Sequence, residues 1–337
     1  MNATESEVEG ASDKIKNLIG TLNKVLFDQE PLIDTVVSGL FAGGHMLLEG
    51  LPGLGKTELV KGLAKSLELE TNRVQFTPDL LPGDITGNPV LQEVEGRREF
   101  VFSPGPLFTN LCLADEINRA SPKTQSALLE AMQERRVTVL GTSHSLPEPF
   151  FVLATQNPIE LEGTYPLPEA QLDRFLFKVE VLRNSASTLE QIVLNRELGV
   201  EPEVEAVMSR DHLNEIIDIA RRIYLPPVVA NYIARLVDGT HRGQSATSEK
   251  IQYGASPRAA ISMAAASKAR ALIKRRINAS FEDVKAIAIP VLQHRIVLDY
   301  STRIDGVSNR EIVQQLLAEI PAQELEKPKS VAVASAE

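Results

Sequence analysis

The chain has 337 residues, of which 43% are hydrophobic, and it carries a net charge of -10 from 35 Lys and Arg against 45 Asp and Glu. Its length favours two domains, and its apolar content is enough for a core in each. The acidic balance argues against non-specific nucleic-acid binding, which depends on basic side chains that neutralise phosphates. The single cysteine, Cys112, excludes an internal disulfide and, inside an apolar run, is expected to be a core residue.

The N-terminal segment gives no sign of targeting. Its first ten residues are polar and acidic and lack a secretory or transit pattern. No apolar run in the chain has the length of a membrane span. We therefore expect a cytoplasmic protein without a membrane span, in which residues 1–12 are disordered.

Two helices are predicted before the first strand. Apolar residues at helical spacing indicate an amphipathic helix over residues 15–26 and a second helix over residues 31–40. A short apolar strand follows at residues 46–49, and directly after it comes a glycine-rich segment: Gly50, Leu51, Pro52, Gly53, Leu54, Gly55, Lys56 and Thr57. Glu58 begins a run of apolar residues at helical spacing, so the segment lies between a strand and a helix.

This segment fits the phosphate-loop template G-x-x-x-x-G-K-[ST] at every fixed position. Its glycines allow consecutive N–H groups to turn inward around a phosphate. Lys56 would contact the β- and γ-phosphates, Thr57 would bind Mg²⁺, and the helix N-terminus favours an anion. A glycine-rich turn that binds nothing is the alternative, but strand, loop and helix are the context that the motif requires. We therefore predict nucleotide binding by residues 50–58.

Two less regular segments follow. After a short strand at residues 73–76, residues 77–88 are too rich in Pro and Gly for a regular element. Residues 90–102 alternate weakly around a turn and predict a β-hairpin. This hairpin is either a surface feature without a role or a functional insertion.

A strand within residues 107–116 ends in two acids, Asp115 and Glu116. In phosphate-loop enzymes the first acid of such a pair orders the Mg²⁺ shell. The second is placed to activate the attacking water as a general base. Two acids in the N-terminal turn of a helix are the alternative. We predict Mg²⁺ bound by Thr57 and Asp115, with Glu116 as the base.

Strands and helices alternate up to about residue 182. Ser121 and Pro122 have the pattern of a helix start, and that helix runs to about residue 134. Strands are predicted at residues 137–140, 150–155 and 175–181. This alternation predicts a mostly parallel sheet covered by helices on both faces.

The rest of the chain shows no strand pattern. Residues 239–253 are interpreted as a loop, and the spacing of Ser280 and Asp283 fits a capping box. Helices are predicted at residues 189–198, 212–223, 228–238, 256–273 and 280–294. We therefore expect an α/β core over residues 13–184 with the hairpin insertion near 88–104, an all-helical domain over residues 185–322, and a disordered tail over residues 323–337.

Five motifs in this order resemble those of AAA+ ATPases: the phosphate loop, Leu113-Ala114-Asp115-Glu116, Ala154-Thr155-Gln156-Asn157-Pro158, Leu172-Asp173-Arg174-Phe175 and Ser256-Pro257-Arg258. Two longer segments, residues 115–120 and 162–175, resemble the MoxR family more specifically. The resemblance covers roughly residues 12–320. It implies an α/β fold with a five-stranded, mainly parallel sheet between helices and a smaller all-helical lid domain.

The resemblance also implies roles for three further polar residues. Asn157 resembles the sensor-1 residue, which would orient water near the γ-phosphate, although an Asn before Pro is also common in turns. Arg174 resembles the arginine finger that reaches a neighbouring subunit's γ-phosphate, and the alternative is a surface ion pair with Asp173 or Glu169. Arg258 resembles sensor 2 at the start of a lid helix. A cation there opposes the helix dipole, which indicates either a functional cause or a salt bridge.

Other positions are assigned by the same resemblance. Gln75 is a candidate for the polar group that holds Glu116 inactive until nucleotide binds, and Asn118 and Arg119 are candidates for a subunit boundary. The hairpin matches an insertion that lines the ring pore or top face in related proteins. Many relatives have Gly-Gln beside adenine where this chain has Phe27-Asp28-Gln29. The motifs therefore predict phosphate binding but not the preferred base.

The resemblance implies a Mg²⁺-dependent ATPase that assembles with its own copies into a ring, a hexamer. Lys56, Thr57 and Asp115 would bind MgATP, Glu116 would activate water, and Arg174 of the next subunit and Arg258 of the lid would complete the site. Hydrolysis would drive a chaperone-like action on a client protein complex. A von Willebrand factor A domain partner would be a separate protein, because this chain has no Asp-x-Ser-x-Ser motif.

Three alternatives stay open at this point: a DNA-remodelling motor, the motor subunit of a metal chelatase, and a nucleotide-gated scaffold with little turnover. In the hairpin, Arg97 and Arg98 are accompanied by Glu93, Glu95 and Glu99, which argues against a DNA-binding pore loop. Glu116 argues against the scaffold, because a scaffold needs no base for hydrolysis.

Overall fold

A computed structural model describes residues 2–51, 53–94, 97–158, 163–197, 200 and 203–323. Pro52 of the phosphate loop, the turn of the predicted hairpin at residues 95–96, Glu162 of the family-specific segment and residues 324–337 of the predicted tail lie outside the described residues.

The described residues form α-helices and β-strands that are numbered separately in chain order. The strands are β1 (Met46–Glu49), β2 (Thr71–Gln75), β3 (Gly87–Val94), β4 (Arg97–Pro104), β5 (Leu111–Asp115), β6 (Arg136–Val139), β7 (Thr142–Ser145), β8 (Phe151–Gln156), β9 (Phe177–Glu180), β10 (Ile251–Tyr253) and β11 (Val297–Leu298). The helices are α1 (Glu5–Val25), α2 (Glu30–Phe41), α3 (Lys56–Ser66), α4 (Pro82–Thr86), α5 (Pro122–Glu134), α6 (Glu169–Leu172), α7 (Ala186–Asn195), α8 (Arg210–Arg222), α9 (Pro227–Asp238), α10 (Pro257–Ile273), α11 (Phe281–Leu292), α12 (Tyr300–Ile304) and α13 (Asn309–Glu319).

Five strands form the central sheet in the order β2-β5-β8-β1-β9, and every neighbouring pair is parallel. Strand β1 therefore lies between β8 and β9, the last two strands of the sheet in chain order. Parallel strands end at the same edge of a sheet, and in α/β proteins ligands bind in the crevice at that edge. This arrangement confirms the predicted α/β fold and its parallel sheet.

Alternate residues of the sheet pack into two separate cores, as the period of two along a strand requires. Met46 and Leu48 of β1 pack with α1, α2, α3 and helices of the lid domain. Leu47 and Cys112 point to the other face, where α5 packs. Burial raises the pKa of the Cys112 thiol to about 12, as expected for a core cysteine.

The N-terminal segment predicted to be disordered is helical from Glu5 onward, and that prediction is wrong for its described residues. Thr4 forms a capping box with Glu7, and the Glu7 carboxylate also accepts hydrogen bonds from Arg222 of α8 at 2.7 and 3.2 Å. Val8 is buried. The sequence of this segment does not indicate these contacts, because the partner of Glu7 lies 215 residues away in the chain.

The second domain is not entirely helical. Strand β10, inside the predicted loop, pairs antiparallel with β11. Helix α13, which the periodicity analysis missed, begins at a capping box between Ser308 and Glu311. Strands of two or three residues are too short to show an alternating pattern, so their existence depends on tertiary packing.

The predicted hairpin is present as β3 and β4, paired antiparallel along eight residues each. A second hairpin, β6 and β7, extends the strand predicted at residues 137–140, and the short helix α4 lies within the segment expected to be irregular. Among the residues described above, no helix is both long enough and apolar enough to cross a membrane.

Candidate active site

The phosphate loop connects β1 to α3 and uses its glycines for two different reasons. Gly53 and Gly55 have φ angles of +81° and +85°, in the region that side chains disfavour. At Gly50, a Cβ atom would lie 2.8 Å from the carbonyl oxygen of Val181. Each glycine of the predicted loop therefore stands where the backbone of this fold requires one.

Lys56 is the first residue of α3 and folds back over the loop, where its Nζ donates a hydrogen bond to the Gly50 carbonyl at 2.7 Å. Burial lowers the pKa of Lys56, whereas the nearby carboxylates of Asp115, Glu116 and Glu49 raise it. Thr57, the predicted Mg²⁺ ligand, is the second residue of the same helix. The ammonium group is thus held over the loop by a single backbone acceptor, which a phosphate oxygen can replace.

The two acids lie where β5 ends, next to β8, and the buried Thr155 of β8 aligns them. Its hydroxyl donates to the Asp115 carboxylate at 2.5 Å and accepts from the backbone N–H of Glu116 at 2.9 Å. The sequence indicates no role for Thr155 beyond its place in a motif. A polar residue in an otherwise apolar, buried strand beside the acids was the signal that could have identified it.

Glu116 has a left-handed backbone conformation with φ 55°, which is unusual for a residue with a side chain. Its carboxylate accepts hydrogen bonds from the Gln75 amide at 2.8 Å and from the Arg119 guanidinium at 3.0 Å. The contact expected between Gln75 and Glu116 is therefore present, and its switching role stays a prediction. Arg119 adds a second partner that the sequence did not indicate for this acid.

The other acid is also paired. Arg73 of β2 forms an ion pair with the Asp115 carboxylate at 2.7 Å and a hydrogen bond with Gln75 at 3.1 Å. The Arg73 side chain is 56% exposed, so solvent and salt screen this pair. Both acids of the site therefore have cationic or amide partners at their carboxylates.

Asn157 is buried and follows β8 directly. In the register of the sheet, Gln156 of β8 lies opposite Glu49 of β1, and the Gln156 carbonyl accepts from the N–H of Gly50 at 3.3 Å. The predicted sensor-1 residue thus lies at the same edge of the sheet as the start of the phosphate loop.

A cavity of about 480 Å³ adjoins the phosphate loop and has the size of a small-ligand site. Its lining includes Phe27 and Gln29, which precede α2, and Asn184 and Arg196, which flank α7. The Gln29 amide donates to Asn184 at 2.9 Å, and the Arg196 guanidinium lies 5.5 Å from the centre of the Phe27 ring. Leu54 and Glu58 of the predicted nucleotide site also line this cavity.

Arg174 lies elsewhere, in a cleft of about 420 Å³ lined also by Glu130 of α5 and Arg136 of β6. Within the described part of the chain, its guanidinium has no hydrogen bond or ion pair. Among the described residues, the alternative ion pair of Arg174 with Asp173 or Glu169 is absent, and Asp173 pairs with two lid arginines instead.

Arg258 is the second residue of α10 and forms the salt bridge that its unfavourable position near a helix N-terminus had suggested. Its guanidinium lies 3.3 Å from the Asp173 carboxylate. Ser256, the N-cap of the same helix, donates to this carboxylate at 3.1 Å, and Arg295 donates to it at 2.8 Å. Asp173, Arg174, Arg258 and Arg295 are referred to below as the arginine junction.

The structure therefore groups the predicted site residues in two places. Lys56, Thr57, Asp115, Glu116 and Asn157 follow the carboxyl ends of β1, β5 and β8. In the other place, Arg258 pairs with Asp173, the residue before Arg174. Among the described residues, neither arginine forms a hydrogen bond or ion pair with the phosphate loop, Asp115 or Glu116.

Comparison with known proteins matches both domains. Residues 45–177 match the model of the ATPase family associated with various cellular activities (AAA), and residues 243–316 match the AAA lid domain. The chain is 39% identical over 317 residues to Chaperone MoxR1 of Mycobacterium tuberculosis, covering 92% of this chain and 83% of that protein. It is 40% identical over 300 residues to YeaC of Bacillus subtilis, covering 89% of this chain and 92% of that protein. A crystal structure of a candidate ATPase from Cytophaga hutchinsonii superposes with a TM-score of 0.87 and 39% identity, covering 94% of this chain and 97% of that chain.

Proposed function

The chain belongs to the MoxR family of AAA+ ATPases, and we propose that it hydrolyses ATP with Mg²⁺ as a ring-shaped oligomer and acts on partner protein complexes. The observation that carries the proposal is the common edge of the sheet at which the phosphate loop and the acids Asp115 and Glu116 meet. The hydroxyl of Thr155 donates to the Asp115 carboxylate at 2.5 Å and accepts from the backbone N–H of Glu116 at 2.9 Å.

The residues at this edge fit a magnesium nucleotide. The backbone angles at Gly53 and Gly55 and the lack of space for a side chain at Gly50 are what a loop of inward N–H groups needs. The hydroxyl of Thr57 and the carboxylate of Asp115 are hard oxygen ligands of the kind that Mg²⁺ prefers. When bound, Mg²⁺ would neutralise charge on the β- and γ-phosphates.

Nucleotide binding then requires three groups to change partners. Lys56 must exchange the Gly50 carbonyl for phosphate oxygens, and Asp115 must give up Arg73. Glu116 must turn from Gln75 and Arg119 towards a water molecule in order to accept its proton. The present contacts of the acids therefore describe a resting arrangement of the proposed active site.

We place Arg174 and Arg258 in the active site of the neighbouring subunit. Arg258 pairs with Asp173, the residue before Arg174, and among the described residues neither arginine forms a hydrogen bond or ion pair with the phosphate loop or the two acids of its own chain. This differs from the expectation that Arg258 completes the site of its own subunit. An arginine that stabilises the transferring phosphoryl group from a neighbouring subunit makes hydrolysis depend on assembly, and a closed ring, such as a hexamer, gives every subunit a neighbour.

The proposed work of the ring is chaperone-like. The Mycobacterium tuberculosis relative is named a chaperone. We extend this role to a client complex and a separate von Willebrand factor A domain partner, which the family resemblance of the motifs implies. The hairpin of β3 and β4 offers a contact surface, because its cross-strand neighbours Leu91 and Phe100 are 52% and 70% exposed. Large apolar side chains exposed together are typical of protein interaction sites.

The proposal is tested by measuring Mg²⁺-dependent phosphate release from ATP together with the oligomeric state, with and without nucleotide. Hydrolysis that depends on Mg²⁺ and on assembly would support it. An oligomer that binds ATP and releases no phosphate would instead indicate the nucleotide-gated scaffold. Glu116→Gln protein loaded with ATP in its own cell extract would then be used to isolate the client.

A further inference from the structure

Three consecutive residues of the lid domain reach into the core. They follow helix α11, and all three are buried. The Gln293 amide donates to the carbonyl of Lys178 at 2.6 Å, and the ring Nε2 of His294 lies 3.0 Å from the carbonyl oxygen of Phe175. Arg295 makes the largest set of contacts, and all of its core partners lie within residues 173–176.

The Arg295 guanidinium encloses the backbone on both sides of Arg174. Its Nη2 donates to the carbonyls of Asp173 at 3.2 Å and Phe175 at 2.7 Å, and its Nε donates to the Asp173 carboxylate at 2.8 Å. Its Nη1 donates to the carbonyl of Leu176 at 3.1 Å. The two carbonyls bound by Nη2 belong to the residues immediately before and after Arg174, so one side chain fixes the peptide units that carry it.

The same carboxylate positions the second arginine. Asp173 uses Oδ1 for Arg295 and Oδ2 for Arg258 and for the hydroxyl of Ser256. Since Ser256 is the N-cap of α10, this carboxylate holds both the start of that helix and the guanidinium on its first turn. Arg174 and Arg258 are therefore tied to each other through a group that Arg295 holds in place.

Charge and burial distinguish Arg295 from the other two arginines. Its side chain is 1% exposed, whereas that of Arg258 is 47% exposed. Two guanidiniums, those of Arg258 and Arg295, share the Asp173 carboxylate, and Arg174 adds a third positive charge without an ion pair among the described residues. The junction therefore has an excess of positive charge for an anion to neutralise. Arg295 is buried and fully engaged, so only Arg174 and Arg258 are placed to meet such an anion.

We propose that Arg295 is a positioning residue that holds Arg174 and Arg258 as one unit for the nucleotide of the neighbouring subunit. The inference rests on the proposed function, because it assumes that the two arginines act across a subunit boundary. Arg295 itself touches no nucleotide. Its planar group satisfies several acceptors at fixed angles, which the point charge of a lysine cannot do.

The test begins with Arg295→Lys, which keeps the positive charge and loses the planar hydrogen-bonding group. We expect kcat to fall by about 10- to 100-fold, because a displacement of about 1 Å of a positioned group costs about that much. The dissociation constant for ATP and the cooperativity of thermal unfolding should stay as in the wild type, since the phosphate loop is untouched. A tenfold loss of ATP affinity would overturn the proposal.

A mixing experiment separates positioning across the boundary from a local structural role. Arg295→Lys subunits are mixed with Glu116→Gln subunits, which cannot hydrolyse ATP but carry an intact junction. We expect turnover to return, because the second type donates its arginines to the intact sites of the first. Absence of recovery would show that Arg295 acts within its own site and would overturn the inference.

Parallel mixtures identify which idea has failed. Arg174→Ala subunits should be rescued by Glu116→Gln subunits, and Lys56→Ala subunits should not. Rescue of Arg174→Ala without rescue of Arg295→Lys overturns this inference alone. If Arg174→Ala is not rescued, the arrangement across subunits in the proposed function is wrong, and the inference is overturned with it.

Two further variants keep the test decisive. Gln293→Leu removes a neighbouring contact from lid to core that does not reach Asp173, and its kcat should stay within about twofold of the wild type. An equal loss in this variant would mean that domain docking, not Arg295, controls turnover. If Arg295→Lys does not fold, Asp173→Asn removes the charge from the other partner and should give the same defect with the same rescue. A defect in Asp173→Asn that is not rescued would overturn the inference.

Discussion

The phosphate-loop edge and the arginine junction differ in how far apart in sequence their residues lie. Gly50 to Thr57 are contiguous, and Lys56 bonds a carbonyl six residues away. In the junction, Arg258 and Arg295 reach Asp173 across 85 and 122 residues. A contiguous loop can be recognised from its residues alone, whereas the junction exists only when lid and core are packed together.

The two regions also differ in how firmly their charges are held. Arg73 and Arg119, the partners of the acids, are 56% and 41% exposed, so these ion pairs are screened and weak. The pair of Arg295 with Asp173 has one fully buried partner and additional backbone acceptors, the condition under which a buried pair is hard to break. We conclude that the phosphate-loop edge is built to exchange partners and the arginine junction is built to keep them.

The substitution with the largest expected effect disrupts only the phosphate-loop edge. Lys56→Ala should abolish MgATP binding and turnover, since the ammonium group is the only cation that folds over the loop among its described residues. Calorimetry and the thermal shift on adding ATP measure this loss, because a ligand that binds the native state raises the melting temperature. Lys61→Ala, on the exposed side of the same helix, is the matched control. Unchanged affinity in Lys56→Ala would contradict the assignment of the loop.

The substitution with the next largest expected effect disrupts the arginine junction and leaves the phosphate loop intact. Arg174→Ala should keep ATP affinity while kcat falls by about 10³- to 10⁵-fold, the range found for arginine fingers. Steady-state phosphate release and a fluorescent-nucleotide titration measure the two quantities separately. Normal hydrolysis by this variant would remove Arg174 from the mechanism.

Loss of the base at the phosphate-loop edge should have a somewhat smaller effect. Glu116→Gln keeps the shape of the side chain and removes its ability to accept a proton. Turnover should fall by about 10²- to 10⁴-fold, as for other general bases. ATP should stay bound, and nucleotide retained after gel filtration reports this. A variant that turns over like the wild type would assign the base to another residue.

A buried histidine next to the central sheet leads us to expect that the stability of the protein depends on pH. His45 precedes β1, its Nε2 lies 3.0 Å from the Met132 carbonyl oxygen, and its Nδ1 accepts from the N–H of Val152 at 3.0 Å. Burial lowers the pKa of His45 to about 4, despite the hydrogen bond to Met132. In the unfolded chain the imidazole of His45 binds a proton near pH 6.5. The contribution of His45 to the free energy of unfolding is therefore complete above that pH and decreases as the pH drops towards 4.

By pH 4.5 this residue should lower the free energy of unfolding by about 2–3 kcal/mol, at roughly 1.4 kcal/mol for each pH unit below 6.5. Urea denaturation at pH 7 and pH 4.5 measures the difference. The variant His45→Gln should be less stable at pH 7 but should lose this part of the pH dependence. An equal pH dependence in both proteins would show that His45 is not its source.

The smallest effect concerns the exchangeable pair at Asp115. Arg73→Gln should lower the Mg²⁺ concentration needed for half-maximal turnover by at most about fivefold, because an exposed ion pair contributes about 0.2–1 kcal/mol. Arg119→Gln removes one of the two partners of Glu116 instead and should leave the Mg²⁺ dependence unchanged. The same shift in both variants would mean that general charge, and not the contact with Asp115, sets the Mg²⁺ requirement.

Tertiary contacts also explain what the sequence analysis missed. Helix α1 extends over residues that are polar and acidic because Arg222 and a capping box stabilise its first turn. Thr155 contacts both Asp115 and Glu116 because β5 and β8, which are distant in sequence, lie side by side in the sheet. The hydrogen bond between Gln75 and Glu116 was anticipated from a family resemblance, not from the residues themselves.

The sequence by itself determined the alternation of strands and helices, the phosphate loop and the two acids after β5. These features depend on local requirements, such as glycine at positive φ and apolar periodicity, which neighbouring residues express directly. Only the tertiary structure decided that Arg258 pairs with Asp173, the residue before Arg174, and that Arg295 binds this carboxylate and the backbone on both sides of Arg174. The physical reason is that a buried guanidinium needs several acceptors at fixed angles, and only packing of the lid against the core brings these acceptors together.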